Sequence, residues 1–171
     1  MTSIIKVDQI QTAAGSTPTA ADLGINTTGT VLKTHYMKSP NDTQVAVTND
    51  NTGNTWTTID TLSVTTIGES SRLVIFFDTG QFVKSGANAN ASFRFLVDNV
   101  PILLNTEYGH HHWHVGYGSN SAREAHFGWY VSGLLSAGTH TILQQGGAYG
   151  DAVTFKYQGR YQRYMIQEIA G

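Results

Sequence analysis

The sequence predicts an all-β protein, an antiparallel β-sandwich or jelly roll, preceded by an extended N-terminal arm. Short segments of alternating apolar and polar residues recur about every eight to twelve residues, with turn-forming residues between them. No segment of useful length shows a helical period. Charged residues make up 13% of the 171 positions, against about 25% in ordinary soluble domains. The small number of charged residues is made up by Thr, Ser, Asn, Gln and Gly. This composition favours β-strands and is typical of a surface that is covered by other protein subunits.

The segment 124–145 carries the clearest of these patterns. Residues 124–131 alternate with a two-residue period, which is typical of a strand with one buried face. The buried face should carry Ala125, Phe127, Trp129 and Val131, and the other face Glu124, His126, Gly128 and Tyr130. Residues 139–145 predict the next strand. The connection is too short for a crossover helix, so the two strands should pair antiparallel or pass between sheets as neighbours.

The folded domain is expected to span residues 29–171. Its other strands are predicted at 30–36, 43–48, around Trp56, and at 62–66, 72–77, 92–97, 100–104, 152–157 and 160–169. Asp60 should separate two strands, and segments 81–91 and 146–150 should be loops. The apolar run at 72–77 predicts a central strand buried on both faces. Asp98 and Asn99 predict a hairpin turn, which places Pro101 at a sheet edge.

Two smaller predictions concern single positions in these strands. Phe93, Phe95 and Val97 recur at every second residue, so they should share one face of their strand. His140 follows a Gly-Thr pair, and we expect its ring to bond a loop carbonyl rather than to take part in catalysis.

Composition and motifs exclude several classes of protein. The net charge is −2 and the Lys and Arg residues are scattered, so no basic stripe indicates a nucleic-acid partner. Cysteine is absent, which excludes disulfides and thiolate zinc sites. No apolar run reaches the roughly 20 residues of a membrane span, so we expect no membrane insertion. The first residues do not resemble a signal peptide. Neither a nucleophile elbow nor a P-loop is present, and we predict that the chain is not an enzyme.

Residues 1–28 differ in composition from the rest of the chain. They combine a low-complexity stretch of small residues with a few aliphatic side chains, and cannot bury enough apolar area to fold alone. A frayed tail is one interpretation. We favour an arm that becomes ordered against another subunit, since aliphatic side chains suit contact better than free exposure. The predicted assembly residues are Ile4, Ile5, Val7, Ile10, Leu23 and Ile25.

Several segments resemble virion proteins of marine and cyanobacterial phages, of the tail-fibre and capsid-decoration type. The segments are SIIKVDQIQTAAGSTPTAADLGIN at residues 3–26, SSRLVIFF at 70–77, SFRFLVDNVPIL at 92–103, LLSAGTHTILQQ at 134–145 and RYMIQEI at 163–169. The resemblance covers most of the chain, and no single motif in it is diagnostic. It implies a homotrimeric jelly roll of the tumour-necrosis-factor-like kind, made in the host cytoplasm. The trimer would be carried on the virion, with the arm docked to other capsid or tail proteins.

The sequence Gly-His-His-His-Trp-His-Val at 109–115 is a candidate metal site. In an extended segment His110, His112 and His114 would share one face. Neutral imidazoles bind Zn²⁺, Ni²⁺ or Fe²⁺, and three subunits could each supply one at a shared axis. Some phage fibre tips carry His-x-His iron sites on a trimer axis, and this run contains that spacing twice. The alternative is a polar surface loop or a histidine stack at an interface, because no carboxylate partner is evident.

Aromatic side chains near the histidines indicate a possible sugar-binding surface. Tyr108, Trp113, Tyr117 and Tyr149 lie in glycine-rich segments, and exposed rings beside Asn and Asp side chains are suited to stacking on saccharides. Core or subunit contact is the better interpretation for Trp56 and Trp129. Two functions therefore stay open. One is a virion structural protein, either a capsid decoration or a tail or fibre component. The other is a receptor-binding module that recognises a host glycan through residues 105–120.

Overall fold

The computed structural model describes residues 29–48, 55–86, 90–102, 111–113, 123–124 and 127–171, with the backbone alone for 90, 111–113 and 123–124. Nearly all regular structure in these ranges is β. The strands are β1 (Val31–Lys38), β2 (Val45–Val47), β3 (Thr57–Thr66), β4 (Ser71–Asp78), β5 (Phe82–Lys84), β6 (Asn90–Val97), β7 (Val100–Pro101), β8 (His111–Trp113), β9 (Arg123–Glu124), β10 (Phe127–Val131), β11 (Gly138–Tyr149), β12 (Val153–Phe155) and β13 (Arg163–Ala170). A short 3-10 helix covers Tyr157–Gly159.

The strands form two main antiparallel sheets. The front sheet has the order β1-β13-β4-β10. The back sheet has the order β3-β11-β6-β7, and β8 also pairs with β6. Along the chain the connections repeatedly move between the two sheets, from β3 to β4, from β4 to β6 by way of β5, and from β10 to β11. This is the topology of a jelly roll, and the predicted all-β sandwich is confirmed.

A third, small sheet continues the front sheet. Its order is β2-β12-β5-β9, and each of these strands is the chain neighbour of the strand at the same place in the front sheet. The front sheet and the small sheet therefore form one four-stranded layer, in which every strand is interrupted at about the same level. We call this line of interruption the crease. Residues 39–44, 79–81 and 156–162 are the described segments that cross it.

The core between the sheets is largely aromatic. Phe77 from the front sheet packs against Phe93 and Phe95 of the back sheet, with ring centroids 5.8 and 5.1 Å apart. Phe82 and Phe155 of the small sheet pack against Phe93 at 6.1 and 5.2 Å. These tilted and edge-on contacts are the arrangements that aromatic rings prefer. Phe93 therefore lies where all three sheets meet.

Several local predictions are confirmed. Phe93, Phe95 and Val97 are all buried on one face. Asp98 and Asn99 have φ angles of 51° and 66°, which fits a type I′ hairpin turn between β6 and β7. Pro101 lies in β7, which pairs with β6. The strands at 127–131 and 138–149 do not pair with each other, because β10 joins the front sheet and β11 the back sheet, so they pass between sheets.

The predicted buried face of β10 is wrong. Tyr130 is fully buried, whereas Phe127 and Trp129 are 65% and 53% exposed. The interior is already filled by Phe77, whose ring lies so close to Gly128 that an added Cβ would come within 2.6 Å of it. The glycine and the Tyr130 ring, whose hydroxyl bonds the Phe93 carbonyl at 2.9 Å, fit that space. The large side chains of alternate residues consequently face outward.

Four segment predictions also need correction. Residues 57–66 form one strand through Asp60, and 82–84 form a strand inside the predicted loop. The strand β11 extends through 146–149, because Gly146 leaves room for Phe155 and Ile59, which an added Cβ would approach within 2.6 and 2.7 Å. This is glycine used for close packing rather than for a turn. The strand β4 is central, but only its inner face is fully buried, while its outer face is partly buried and Arg72 on it is exposed.

Candidate functional site

Most residues of the predicted metal, ligand and assembly sites lie outside the described residues. These are residues 1–28 with the six assembly side chains, and Tyr108, His110, His114 and Tyr117. His112 and Trp113 lie in β8, where the backbone pairs them with Ser92 and Ala91. Tyr149 ends β11 and is 46% exposed. The metal and sugar-binding predictions at these positions stay predictions.

The outer face of the front sheet carries an unexpected line of apolar side chains. Strand register places Tyr36 opposite Met165, Met165 opposite Phe76, and Phe76 opposite Trp129. We call these four residues the apolar row. It crosses all four strands, a width of roughly 14 Å at about 4.8 Å per strand. Phe127 extends it, because its ring stacks on Phe76 with centroids 6.3 Å apart.

The exposed area of this face is large for one small domain. Tyr36 is 80% exposed, in addition to Phe127 and Trp129. At about 150–250 Å² per aromatic side chain, the three rings expose roughly 400 Å². A patch of that size is comparable with the largest apolar patch on a typical monomer, which is often functional. It would supply about half of the roughly 800 Å² that each partner buries in a stable interface. An exposed apolar face of this size is suited to contact with another protein.

Comparisons with known proteins identify no family for this chain. No family model matches the chain, and no curated protein is significantly similar to it. Two solved structures from infectious bursal disease virus, that of the Gx strain and that of a VP2 subviral particle, have TM-scores of 0.40 and 0.39 at 8% and 10% identity. Both alignments cover 81% of this chain, but only 36% and 38% of the viral chains. A Paenibacillus cycloisomaltooligosaccharide glucanotransferase has a TM-score of 0.33 at 17% identity, covering 80% of this chain and 18% of that one. Similarity this low supports no argument about function.

A buried polar centre lies at the crease and connects the three sheets. Asp60 of β3 is 3% exposed, and its carboxylate accepts a bond from Lys156 Nζ at 2.6 Å. Ser39 Oγ and Tyr164 Oη donate to the other carboxylate oxygen at 2.5 and 2.6 Å. Lys156 also bonds Asn41 Oδ1 at 3.3 Å. A buried charge needs a paired charge and hydrogen bonds on its other lone pairs, and Asp60 has both.

Two glutamines complete this centre around the Tyr164 hydroxyl. The phenol oxygen lies 2.6 Å from the side-chain amide of Gln144 and 2.7 Å from that of Gln162. Its single proton goes to the Asp60 carboxylate, so both amides are best satisfied when their NH₂ groups face the phenol oxygen. Burial, together with the neighbouring Asp60 charge, raises the pKa of the Tyr164 hydroxyl well above its usual value. The phenol therefore stays protonated at neutral pH.

His140 links the back sheet to the hairpin turn. Its Nδ1 lies 2.6 Å from Asp98 Oδ2, and its Nε2 lies 2.9 Å from the Ser136 carbonyl oxygen. Both partners are acceptors, so both ring nitrogens must carry protons. Burial lowers the pKa of His140, but the bonds to Asp98 and Ser136 and the charges of Asp98 and Glu168 outweigh it, and the net shift is upward. The predicted bond of His140 to a loop carbonyl is confirmed.

The His140–Asp98 pair should make stability depend on pH. The bond to His140 lowers the pKa of Asp98. The contribution of His140 is complete below its unfolded pKa of about 6.5 and is lost as pH rises through its raised folded value. That of Asp98 is complete above about 4 and is lost on acidification. Because Asp98 is half-exposed, the pair is worth about 1 kcal/mol or less. We expect Tm to fall by about 2–4 °C on alkalinisation from pH 6.

Thermal unfolding across pH 4–9 measures this effect. The variant His140→Gln should flatten the curve above pH 6. Asp98→Asn is a matched change, because asparagine tolerates the left-handed backbone at that turn and removes only the charge. A wild-type slope that survives in both variants would assign the pH dependence to other groups.

Neither the apolar row nor the polar centre was foreseen from the sequence. Asp60 and Lys156 are separated by 96 residues, and Asp60 and Tyr164 by 104, so no local spacing joins them. A lysine and an aspartate within segments otherwise rich in apolar residues were the only available signal. Among the described residues no group of three or more His, Asp and Glu side chains could hold a metal ion. Nor does any helix in those ranges have the length and hydropathy needed to cross a membrane.

Proposed function

We propose that this chain is a structural protein of a bacteriophage virion. It assembles as a homotrimer of jelly rolls and docks through residues 1–28 to other virion proteins, as a capsid decoration or as a tail or fibre component. The observation that carries the assembly part is the apolar row, because roughly 400 Å² of exposed aromatic surface is suited to contact with a second copy. The low charge of the whole chain, 13%, supports the same interpretation. The virion part rests on the resemblance of its sequence segments to phage proteins.

The aliphatic side chains of residues 1–28 support a docking role for that segment. The described domain starts at Gly29, whose N–H donates to the Ala170 carbonyl at 2.8 Å. The first described residue is therefore hydrogen-bonded to the end of the last strand. Residues 1–28 precede this point in the sequence. A segment that precedes a folded domain in this way can attach the domain to a larger particle without changing the fold of the domain.

Deletion of residues 1–28 tests the docking role. We expect the shortened chain to keep the Tm and the oligomeric mass of the full chain, and to lose binding to purified particles in a co-sedimentation assay. Removal of an apolar segment should weaken particle binding by at least a hundredfold. A control with Ile4, Ile5, Val7 and Ile10 all changed to Ser keeps the length and removes only the apolar contacts. Full particle binding by both variants would exclude this docking segment.

A further inference from the structure

A polar depression lies beside the crease at the end of the front sheet. Its volume is about 630 Å³, within the usual range for small-molecule sites. Six side chains line it, namely those of Lys38, Asp78, Gln81, Arg160, Tyr161 and Arg163. Three are cations and one is a carboxylate, in a chain whose net charge is −2. The depression is therefore a local concentration of positive charge.

The two arginines of this depression are available to a ligand. Arg160 and Arg163 are exposed, and within the described residues neither guanidinium has an ion-pair partner. Asp78 stands opposite Arg163 in the sheet register, but its carboxylate oxygen Oδ1 accepts a bond from the Gly80 N–H at 2.9 Å. A guanidinium presents a planar fork of donors, which matches the two oxygens of a carboxylate.

The segment that carries Arg160 and Tyr161 is held firmly in place. Gly80 has φ +58°, and an added Cβ would lie 2.7 Å from the Tyr161 carbonyl oxygen. The Tyr157 N–H donates to the Gln81 carbonyl at 2.8 Å. The left-handed residues Lys156, Gln158 and Gly159 turn the chain just before Arg160. The backbone that carries Arg160 and Tyr161 is therefore already fixed before a ligand binds, which lowers the entropy cost of ordering this segment.

The other groups in the depression are suited to a sugar. The Tyr161 ring is partly exposed, and Lys38 Nζ lies over one of its faces, 4.7 Å from the ring centroid, in a cation–π contact. Asp78 and Gln81 add oxygen and amide groups that can bond hydroxyls. A simple phosphate site would gain nothing from a carboxylate, whereas a polyhydroxylated ligand with one acidic group can use all of these groups.

We propose that this depression binds an acidic saccharide, with a sugar carboxylate held by Arg160 and Arg163, and the ring against Tyr161. The site is formed by residues outside the segment 105–120, so the proposal does not depend on the aromatic residues of that segment. Such a site would give a virion assembly protein the additional ability to bind a carboxylated glycan. This proposal does not depend on where the protein is located on the particle.

Binding of an oligogalacturonate to the full-length chain, measured by calorimetry, tests this proposal. We expect saturable binding that weakens as salt is raised, and at least tenfold weaker binding of the neutral galactose oligomer and of inorganic sulfate. The double variant Arg160→Gln/Arg163→Gln should lose at least tenfold in affinity, because charge-assisted bonds are the strongest contacts available here. Tyr161→Ala should weaken binding of the oligogalacturonate and leave the salt dependence of that binding unchanged.

The matched control is Arg72→Gln, an exposed arginine on the same face at the other end of β4. It lies about 20 Å away, six residues at about 3.4 Å each, and should bind the uronate normally. Equal affinity for sulfate and uronate would reduce the site to a general anion site and overturn the proposal. A change of oligomeric mass in the arginine variants, with no change in uronate binding, would instead assign these cations to a subunit contact.

Discussion

Replacing Tyr36 and Trp129 with lysine should dissociate the proposed trimer into single chains of 18.6 kDa. The wild-type trimer would have a mass of about 56 kDa, three times that value. Aromatic side chains at the centre of an interface commonly contribute about 2–4 kcal/mol each. Two such losses weaken association by roughly a thousandfold or more, and the added like charges repel. Mass photometry over a range of protein concentrations measures this dissociation directly.

The fold should survive these substitutions, because both side chains point away from the core. Far-UV circular dichroism and Tm of the monomeric variant test that point. Ile67→Lys together with Val100→Lys is the matched control, since both residues are exposed but lie outside the apolar row. If the control dissociates the protein as well, general surface charge is responsible. A Tyr36 and Trp129 variant that stays trimeric would place the interface on another surface.

The substitution Lys156→Met should cause the largest loss of stability of any change described here. It leaves the Asp60 carboxylate buried without its cation, and breaking a buried pair from one side costs about 3–5 kcal/mol. Total stability of a domain is about 5–15 kcal/mol, so a large share is removed. Tm should fall by roughly 10 °C or more. Urea unfolding followed by tryptophan fluorescence gives the free energy of unfolding.

The double variant Lys156→Met/Asp60→Asn distinguishes loss of the ion pair from loss of packing. Asparagine carries no charge, and its amide can still bond Ser39 and Tyr164. We expect it to recover at least 1 kcal/mol relative to Lys156→Met alone, although it carries one more substitution. Additive losses in the double variant would show that Lys156 and Asp60 do not stabilise each other. Lys33→Met, at a less buried lysine, should change stability by less than about 0.5 kcal/mol.

The sequence was informative where a pattern is local. Alternation placed Phe93, Phe95 and Val97 inside, and the Asp98-Asn99 pair gave the hairpin, because turn chemistry and strand period act over a few residues. The period of β10 was also correct. The predicted buried face of β10 was wrong. Which face is buried depends on Phe77, some 50 residues earlier in the chain, because its ring fills the space over Gly128.

Features built from several strands could not be predicted in this way. The apolar row needs the register of four strands, and no single strand among them shows an unusual sequence. The buried Lys156 was even less accessible, since lysine in a short segment is ordinarily a surface residue. Glycines at 146 and 147 indicated a loop by composition. Their place in a strand is explained by the neighbouring side chains of Phe155, Ile59 and Trp56.

The pairing of β1 with β13 has a consequence for how the protein is made. Val31 pairs with Ile169, so the ladder that completes the front sheet joins the two ends of the described domain. A ribosome must release nearly the whole domain before β1 can find its neighbour. Such distant pairing is slow, typically milliseconds to seconds. Newly synthesised chains therefore pass through a period in which the front sheet is incomplete and its edge strands are unpaired. Crowding then favours aggregation, and a chaperone would increase the yield of folded protein.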